Sequence, residues 1–213
     1  MRLACLFLIP VAAFPRDVVI DRIAVIVGKA VIKLSDIERN LRLTEFLNRE
    51  PLNLSAQVRR PAAERLIDQQ VIRNEIASGG YDRATDAEAQ AMLERLERDH
   101  YGSQESRLDA ALERYGLTED QLRDQLRWQL TVLRFLQQRF QPGVIVSDQD
   151  VQAYYDKHRA ELERENPGKS TLAALEPKIR ELVTGEDVNK DFEEWLARAR
   201  ERTHIEYREG AFQ

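Results

Sequence analysis

Residues 20–39 read IDRIAVIVGKAVIKLSDIER, and their reading decides the fold. Two apolar runs rich in β-branched residues, IAVIV at 23–27 and AVI at 30–32, flank Gly28-Lys29. Such residues suit a pleated, half-buried surface. A glycine between them supplies the positive φ that a two-residue hairpin turn needs. Ser35 and Glu38 stand three residues apart at the start of a helical pattern, the spacing of a capping box. The chain therefore opens with a β-hairpin that runs into a helix. An isolated hairpin is only marginally stable in water, so the sheet needs another strand. THIEYR at 203–208 alternates polar and apolar residues and places Ile205 and Tyr207 on one face. Pairing it with the hairpin closes a three-stranded antiparallel sheet and brings the two ends of the chain together.

Between those ends the pattern is helical. Stripes at helical spacing predict helices over 35–48 (Ile37, Leu41, Thr44, Leu47), 55–78, 85–99, 105–115, 118–140, from 147 through His158, and 171–201. The stripe of 55–78 runs Val58, Ala62, Leu66, Ile67, Val71, Ile72 and Ile76, broad enough for a well-buried helix. The stripe of 118–140 is Leu122, Leu126, Leu130, Leu133 and Leu136/Phe140. Thr85/Glu88 and Thr118/Gln121 predict capping boxes, and Ser147 a further cap. Gly79-Gly80, Gly102, Gly116 and Pro142-Gly143 predict stops. Pro61 marks a start or kink, Pro177 an early turn, Gly185 a bend, and 144–146 a short extended piece. The expected fold class is mostly α: a multi-helix domain with a small antiparallel sheet formed by the N-terminal hairpin and the C-terminal strand.

Of the 213 residues, 32% are charged, with a net charge of −5. Both signs alternate along the helices, as on a solvated helical surface. There is no basic stripe of the kind nucleic-acid binding uses. Residues 1–13, MRLACLFLIPVAA, combine Arg2, an apolar stretch and Ala12-Ala13, the pattern of a short secretory signal cleaved after Ala13. That stretch is too short to span a bilayer. Cys5 is the sole cysteine and is expected to leave with the signal, which would leave the mature protein without disulfide or thiol chemistry. The expected location is the periplasm or the secreted space.

No catalytic constellation stands out. His100, His158 and His204 are scattered without partners at ligand spacing. There is no nucleophile elbow and no phosphate loop. Carboxylates mostly sit three or four residues from an arginine, as in Glu94/Arg98 and Asp120/Arg123, the spacing of surface helix pairs. No catalytic, cofactor-binding or metal residue is therefore assigned, and no cofactor is expected. Met92, Leu93, Leu96 and Tyr101 are the candidates for lining a peptide groove; the same spacing also fits a core face.

Five segments, in order, resemble the SurA family of periplasmic chaperones. Val19-Ile-Asp-Arg-Ile-Ala-Val-Ile-Val27, a turn and Val31-Ile-Lys-Leu-Ser-Asp36 are similar to the family's opening strand and helix start. Ala63-Glu-Arg-Leu-Ile-Asp68, followed by Ile72, resembles its next helix. Tyr115-Gly-Leu-Thr-Glu-Asp-Gln-Leu-Arg123 resembles its entry to a long helix. Val146-Ser-Asp-Gln-Asp-Val151 with Ala153-Tyr-Tyr155 resembles its Tyr-Tyr segment. Phe192-Glu-Glu-Trp-Leu196 and the strand at 205–207 resemble its closing helix and strand. The resemblance covers 18–208: an N-terminal segment 18–165 plus a closing helix and strand over 171–208.

It implies an ATP-independent peptide-binding domain that holds unfolded or nascent envelope and outer-membrane proteins. Many relatives insert parvulin-type prolyl isomerase domains after the Tyr-Tyr helix; here only 158–169 stands in that place, too short for one. The expectation is accordingly a chaperone without an enzyme. The alternatives are an envelope structural or adaptor subunit with one fixed partner, and a prolyl isomerase with an unrecognised site. No membrane span and no nucleic-acid partner are expected, and exchange of terminal strands or long helices offers a route to a domain-swapped homodimer.

Overall fold

A computed structural model of the protein describes residues 21–102, 105–168 and 171–212. The candidate leader at 1–13, with Cys5, and the start of the opening motif at 18–20 lie outside the described residues. Strand β1 spans Ile23–Val27 and β2 spans Ala30–Lys33. Gly28, the first central residue of their turn, has φ +59°, while Lys29 stays at negative φ. That combination belongs to a type II′ turn, which takes glycine first. Strand β3, Ile205–Tyr207, pairs antiparallel with β1, giving the order β2-β1-β3. Val25 faces Tyr207 and Val27 faces Ile205. The Gly28 N–H donates to the His204 carbonyl (2.8 Å) and the Arg208 N–H to the Ala24 carbonyl (2.8 Å). The N-terminal hairpin and the C-terminal strand thus form one sheet.

The closing strand has three residues where alternation predicted six. Helix α7 (Leu172–Glu201) ends just before it, and the Thr203 N–H still donates to the Arg200 carbonyl. After Tyr207 the backbone turns into a 3₁₀ segment, Glu209–Ala211, that buries Ala211.

Helix α1 (Leu34–Asn48) follows β2 without a loop. Ser35 therefore already lies inside the helix, and the expected Ser35–Glu38 capping box does not form. Two other carboxylates take over the helix start. The Lys33 N–H donates to Asp36 Oδ2 (3.0 Å). The Ser35 N–H and hydroxyl donate to Asp21, at 3.2 and 2.5 Å. The Ser35 hydroxyl bond is the main reason the Asp21 carboxyl is held below its ordinary value. Negative charge at a helix N-terminus is favourable, so Asp21 ties the entry of β1 to α1. Glu38 instead pairs with Arg59 (3.6 Å).

The remaining helices are α2 (Ala56–Gly79), α3 (Asp86–Tyr101), α4 (Glu105–Tyr115), α5 (Glu119–Arg139) and α6 (Asp148–Glu165). α2 passes through Pro61 and α7 through Pro177 and Gly185, each as one continuous helix. The expected extended piece at 144–146 forms no strand and leaves Ile145 89% exposed. Capping boxes form at Thr85/Glu88, Thr118/Gln121 and Ser147/Asp150.

Glu88 does two jobs. It accepts from the Thr85 N–H (2.8 Å) and pairs with Arg134 of α5. The Thr85 backbone bond, the Arg134 guanidinium and the Thr85 hydroxyl pull its pKa from 4.5 down to about 2. Because the folded value is the lower one, the ionised form favours folding. Its contribution is complete above 4.5 and disappears as pH falls toward about 2. The urea midpoint of Glu88→Gln is expected to lie below wild type at neutral pH and to converge with it near pH 2. A gap that persists unchanged at low pH contradicts this linkage.

Three apolar clusters stabilise the described residues. The first joins the sheet to α2, α5 and the second half of α7, with Val25, Ile67, Phe135 and Trp195 among its buried side chains. The second lies between α1, α3, α4 and α5, around Leu43, Phe46, Leu108 and Leu122. The third joins α6 to the first half of α7 through Val151, Leu162 and Ile179. α1 and α5 serve two clusters each, so both bury more than one face. On α1 the buried set is Ile37, Asn40, Leu41, Leu43, Glu45 and Phe46, broader than the predicted stripe. Buried Glu45 is satisfied by the Asn53 N–H (2.7 Å).

The sheet is fastened to α2 by polar groups as well. Tyr207 donates to Glu64 Oε1 (2.7 Å), Arg200 Nη2 donates to Glu64 Oε2 (2.7 Å), and Arg200 Nη1 pairs with Asp68. Burial alone raises the Glu64 carboxyl, but the bonds from Arg200 and Tyr207 outweigh it and hold it below its ordinary value.

Candidate functional site

An open apolar depression lies where α2, α5 and α7 meet. Ile72 forms its floor; Val132, Leu133 and Leu136 come from α5, and Phe192 and Leu196 from α7. Its volume is about 500 Å³. Leu133 is 52% exposed, the most open leucine of the described residues, and stands on the rim. The charged Arg65 and Asp68 lie at the same mouth. An apolar floor with a polar edge is the usual build of a site for apolar side chains.

The trough exists because α5 turns differently from its leucine stripe. Trp128 and Phe135, seven residues apart, point into the first cluster, while Leu122 and Leu126 enter the second. Leu133, seven residues after Leu126, continues the Leu122/Leu126 face but lies past the end of the second cluster, so it is left outside, contrary to the stripe. Phe135 is fully buried and meets Tyr81, Phe140 and Trp195 edge-on, with ring centroids 4.9–5.8 Å apart. This aromatic cluster fixes the roll of α5 and so the position of Leu133.

Trp128 walls the trough at one end and is shared with two neighbouring concavities, one that includes α1, α2 and α5 and one between α2, the α2–α3 loop and α5. It is 9% exposed, and the Arg73 guanidinium lies 3.8 Å from its ring centroid, a cation–π contact. The apolar trough therefore opens, past Trp128, onto polar ground.

The candidates chosen from the sequence lie elsewhere. Leu93 is 2% exposed and belongs to the second cluster, so it offers no surface to a ligand. Met92, Leu96 and Tyr101 are half-buried against that same cluster. α3 turns its apolar face to α1, α4 and α5, the core reading of that spacing. Burial raises the Tyr101 hydroxyl above its ordinary pKa. The structure brings these four residues together, but as packing. The trough residues escaped notice because they come from three helices far apart in sequence. The one available signal was the Trp128/Phe135 spacing, which competes with the leucines for the inward face of α5.

The histidines remain separate: His100 contacts Arg49, His158 stacks on Tyr154 (4.3 Å), and the His204 carbonyl serves the sheet. Among the described residues no group of three or more His, Cys, Asp or Glu side chains is placed to hold a metal ion. No helix among them is long and apolar enough to cross a membrane. No known protein-family model matches the sequence, and no curated protein matches it.

Proposed function

We propose that this protein is an ATP-independent holdase of SurA type, which binds extended apolar segments of unfolded envelope proteins in the α2–α5–α7 trough. The observation that carries the reading is the trough itself. Leu133 stands half-exposed over an apolar floor drawn from three helices, at a place rigidly set by the Phe135 cluster. Large apolar side chains left open on a preformed concavity are the signature of a surface kept for a partner. A shallow site that recognises apolar bulk gives broad selectivity and modest affinity, as a holdase needs. The order of the family-like segments and the pairing of the terminal segments agree with this reading.

In this proposal the protein acts in the periplasm or the secreted space after loss of the leader, uses no cofactor and catalyses no step. Its partners are unfolded or nascent outer-membrane and other envelope proteins.

The test is suppression of aggregation. An unfolded outer-membrane protein is diluted from urea with a several-fold excess of the wild-type protein or of Leu133→Asp, and light scattering is followed. Wild type is expected to suppress scattering. The aspartate places a charge on the apolar rim, and Leu133→Asp is expected to lose most of the effect at unchanged thermal stability. Equal suppression by both removes the trough from the account; none by either removes the holdase.

A further inference from the structure

Beyond Trp128 the ground changes sign. The concavity between α2, the α2–α3 loop and α5 has a volume of about 620 Å³ and is lined by Arg73, Arg83 and Arg127 against a single carboxylate, Asp124. Asp124 is committed to Arg127 (2.9 Å), which also pairs with Asp86 outside the lining. Arg73 and Arg83 have no carboxylate within ion-pair distance among the described residues. Arg73 lies with its guanidinium over the Trp128 ring, which leaves the edge N–H groups free to donate. Burial, with added repulsion from Arg83 and Arg127 and a partial offset by Asp124, lowers the Arg73 pKa. In a protein of net charge −5, this is a local positive excess held in a concavity. Gln70 and Asn74, joined by their own hydrogen bond (2.9 Å), line it too.

We propose that Arg73 and Arg83 form a carboxylate-binding subsite that takes an acidic group of the client adjoining the apolar segment in the trough. Two features favour a carboxylate carried by a peptide. Guanidinium groups match carboxylates with paired N–H donors. The subsite also shares Trp128 with the apolar trough, so one extended peptide passing over the indole reaches both. A bound carboxylate relieves the repulsion among the arginines, an advantage a neutral ligand lacks. The carboxylate comes either from the client's own C-terminus or from an Asp or Glu side group along it. This subsite rests on the holdase reading, since it assumes a peptide in the trough.

The test is fluorescence anisotropy with short dye-labelled peptides alternating aromatic residues and leucine. One has a free C-terminus, a second is C-terminally amidated, and a third is amidated with a glutamate following the apolar run. Wild type is expected to bind the free acid or the glutamate peptide about tenfold tighter than the plain amide, the size of a charge-assisted hydrogen bond. Whichever acid binds tighter identifies the source of the carboxylate. The preference is expected to shrink with added salt and to vanish in Arg73→Gln/Arg83→Gln, while the plain amide binds wild type and variant alike. Equal binding of all three peptides to wild type overturns the subsite and leaves the trough standing. No binding of any peptide overturns the holdase reading, and the subsite with it.

Discussion

Phe135→Ala is expected to lower the stability of the folded protein by about 3–5 kcal/mol, the range for removing a fully buried aromatic ring. Phe135 is fully buried and touches three other aromatic rings, from the α2–α3 loop, the end of α5 and α7. Truncation forfeits the transfer energy of the ring and leaves a cavity bounded by Tyr81, Phe140 and Trp195. Those rings stand on separate elements, so the space closes poorly. Phe135→Leu keeps much of the volume and is expected to cost roughly 1–2 kcal/mol. Leu133→Ala, two residues away but 52% exposed, is expected to stay within about 0.5 kcal/mol of wild type. Urea midpoints at constant m-value measure all three. The order is diagnostic: if Leu133→Ala cost more than Phe135→Ala, α5 would present its leucine stripe inward and the trough would not exist.

Glu206→Pro is expected to cost about 2–3 kcal/mol, although Glu206 belongs to an edge strand of three residues. Bonds join Gly28 to His204 and Arg208 to Ala24. By antiparallel alternation the Ile26/Glu206 pair between them is a hydrogen-bonded pair. Proline removes its N–H and forbids that rung. The lost ladder bond is worth about 1 kcal/mol, and the dependent Tyr207–Glu64 bond about 1.5–3 kcal/mol, toward the low end for a half-exposed pair. Tyr207→Phe removes only the latter and is expected to account for about half of the total. Hydrogen exchange locates the effect. β1 amides are expected to lose protection in Glu206→Pro, while α3 and α4, which pack in the second cluster, keep theirs. Uniform loss across all elements contradicts a local fastening role.

Both results bear on what a single sequence can say. The sheet was legible because its signals are local: β-branched runs, one glycine at the turn and an alternating stretch at the far end. The cap of α1 was not. Ser35 and Glu38 have the right spacing, but β2 enters the helix without a loop, and the acceptor comes from Asp21, fourteen residues back. The stripe of α5 failed for another reason. A helix wedged between two cores buries two faces, so Trp128 and Phe135 stand inward as well as Leu122 and Leu126, and Leu133, on the leucine face but past the end of the second cluster, stands on the rim. A one-face pattern cannot describe that geometry. The peptide-binding candidates on α3 carry the same ambiguity. Met92, Leu93 and Leu96 read as an apolar face, and whether a face meets a ligand or another helix is decided by tertiary packing alone.

The charges follow the same division. Arg123 pairs with Asp120, and also with Glu119, where the spacing put them, but Glu94 and Arg98, at the same spacing, form no ion pair, and Glu94 accepts from Gln90 instead. Glu64, Arg200 and Tyr207 meet across more than a hundred residues and could be found only in the fold. The arginines beside Trp128 are likewise a tertiary feature. Arg73 comes from α2 and Arg83 from the loop after it, and their shared concavity forms only when α5 brings Trp128 beneath Arg73.

Site-specific photocrosslinking tests the central claim most directly. A benzophenone amino acid is placed at Leu133 on the trough rim or at Lys157 on exposed α6. Each protein is mixed with an unfolded outer-membrane protein, and adducts are counted after irradiation. Position 133 is expected to crosslink the unfolded client strongly, position 157 weakly, and neither to crosslink the same client once folded. Equal yields at the two positions, or none at 133, would contradict a client-holding trough between α2, α5 and α7.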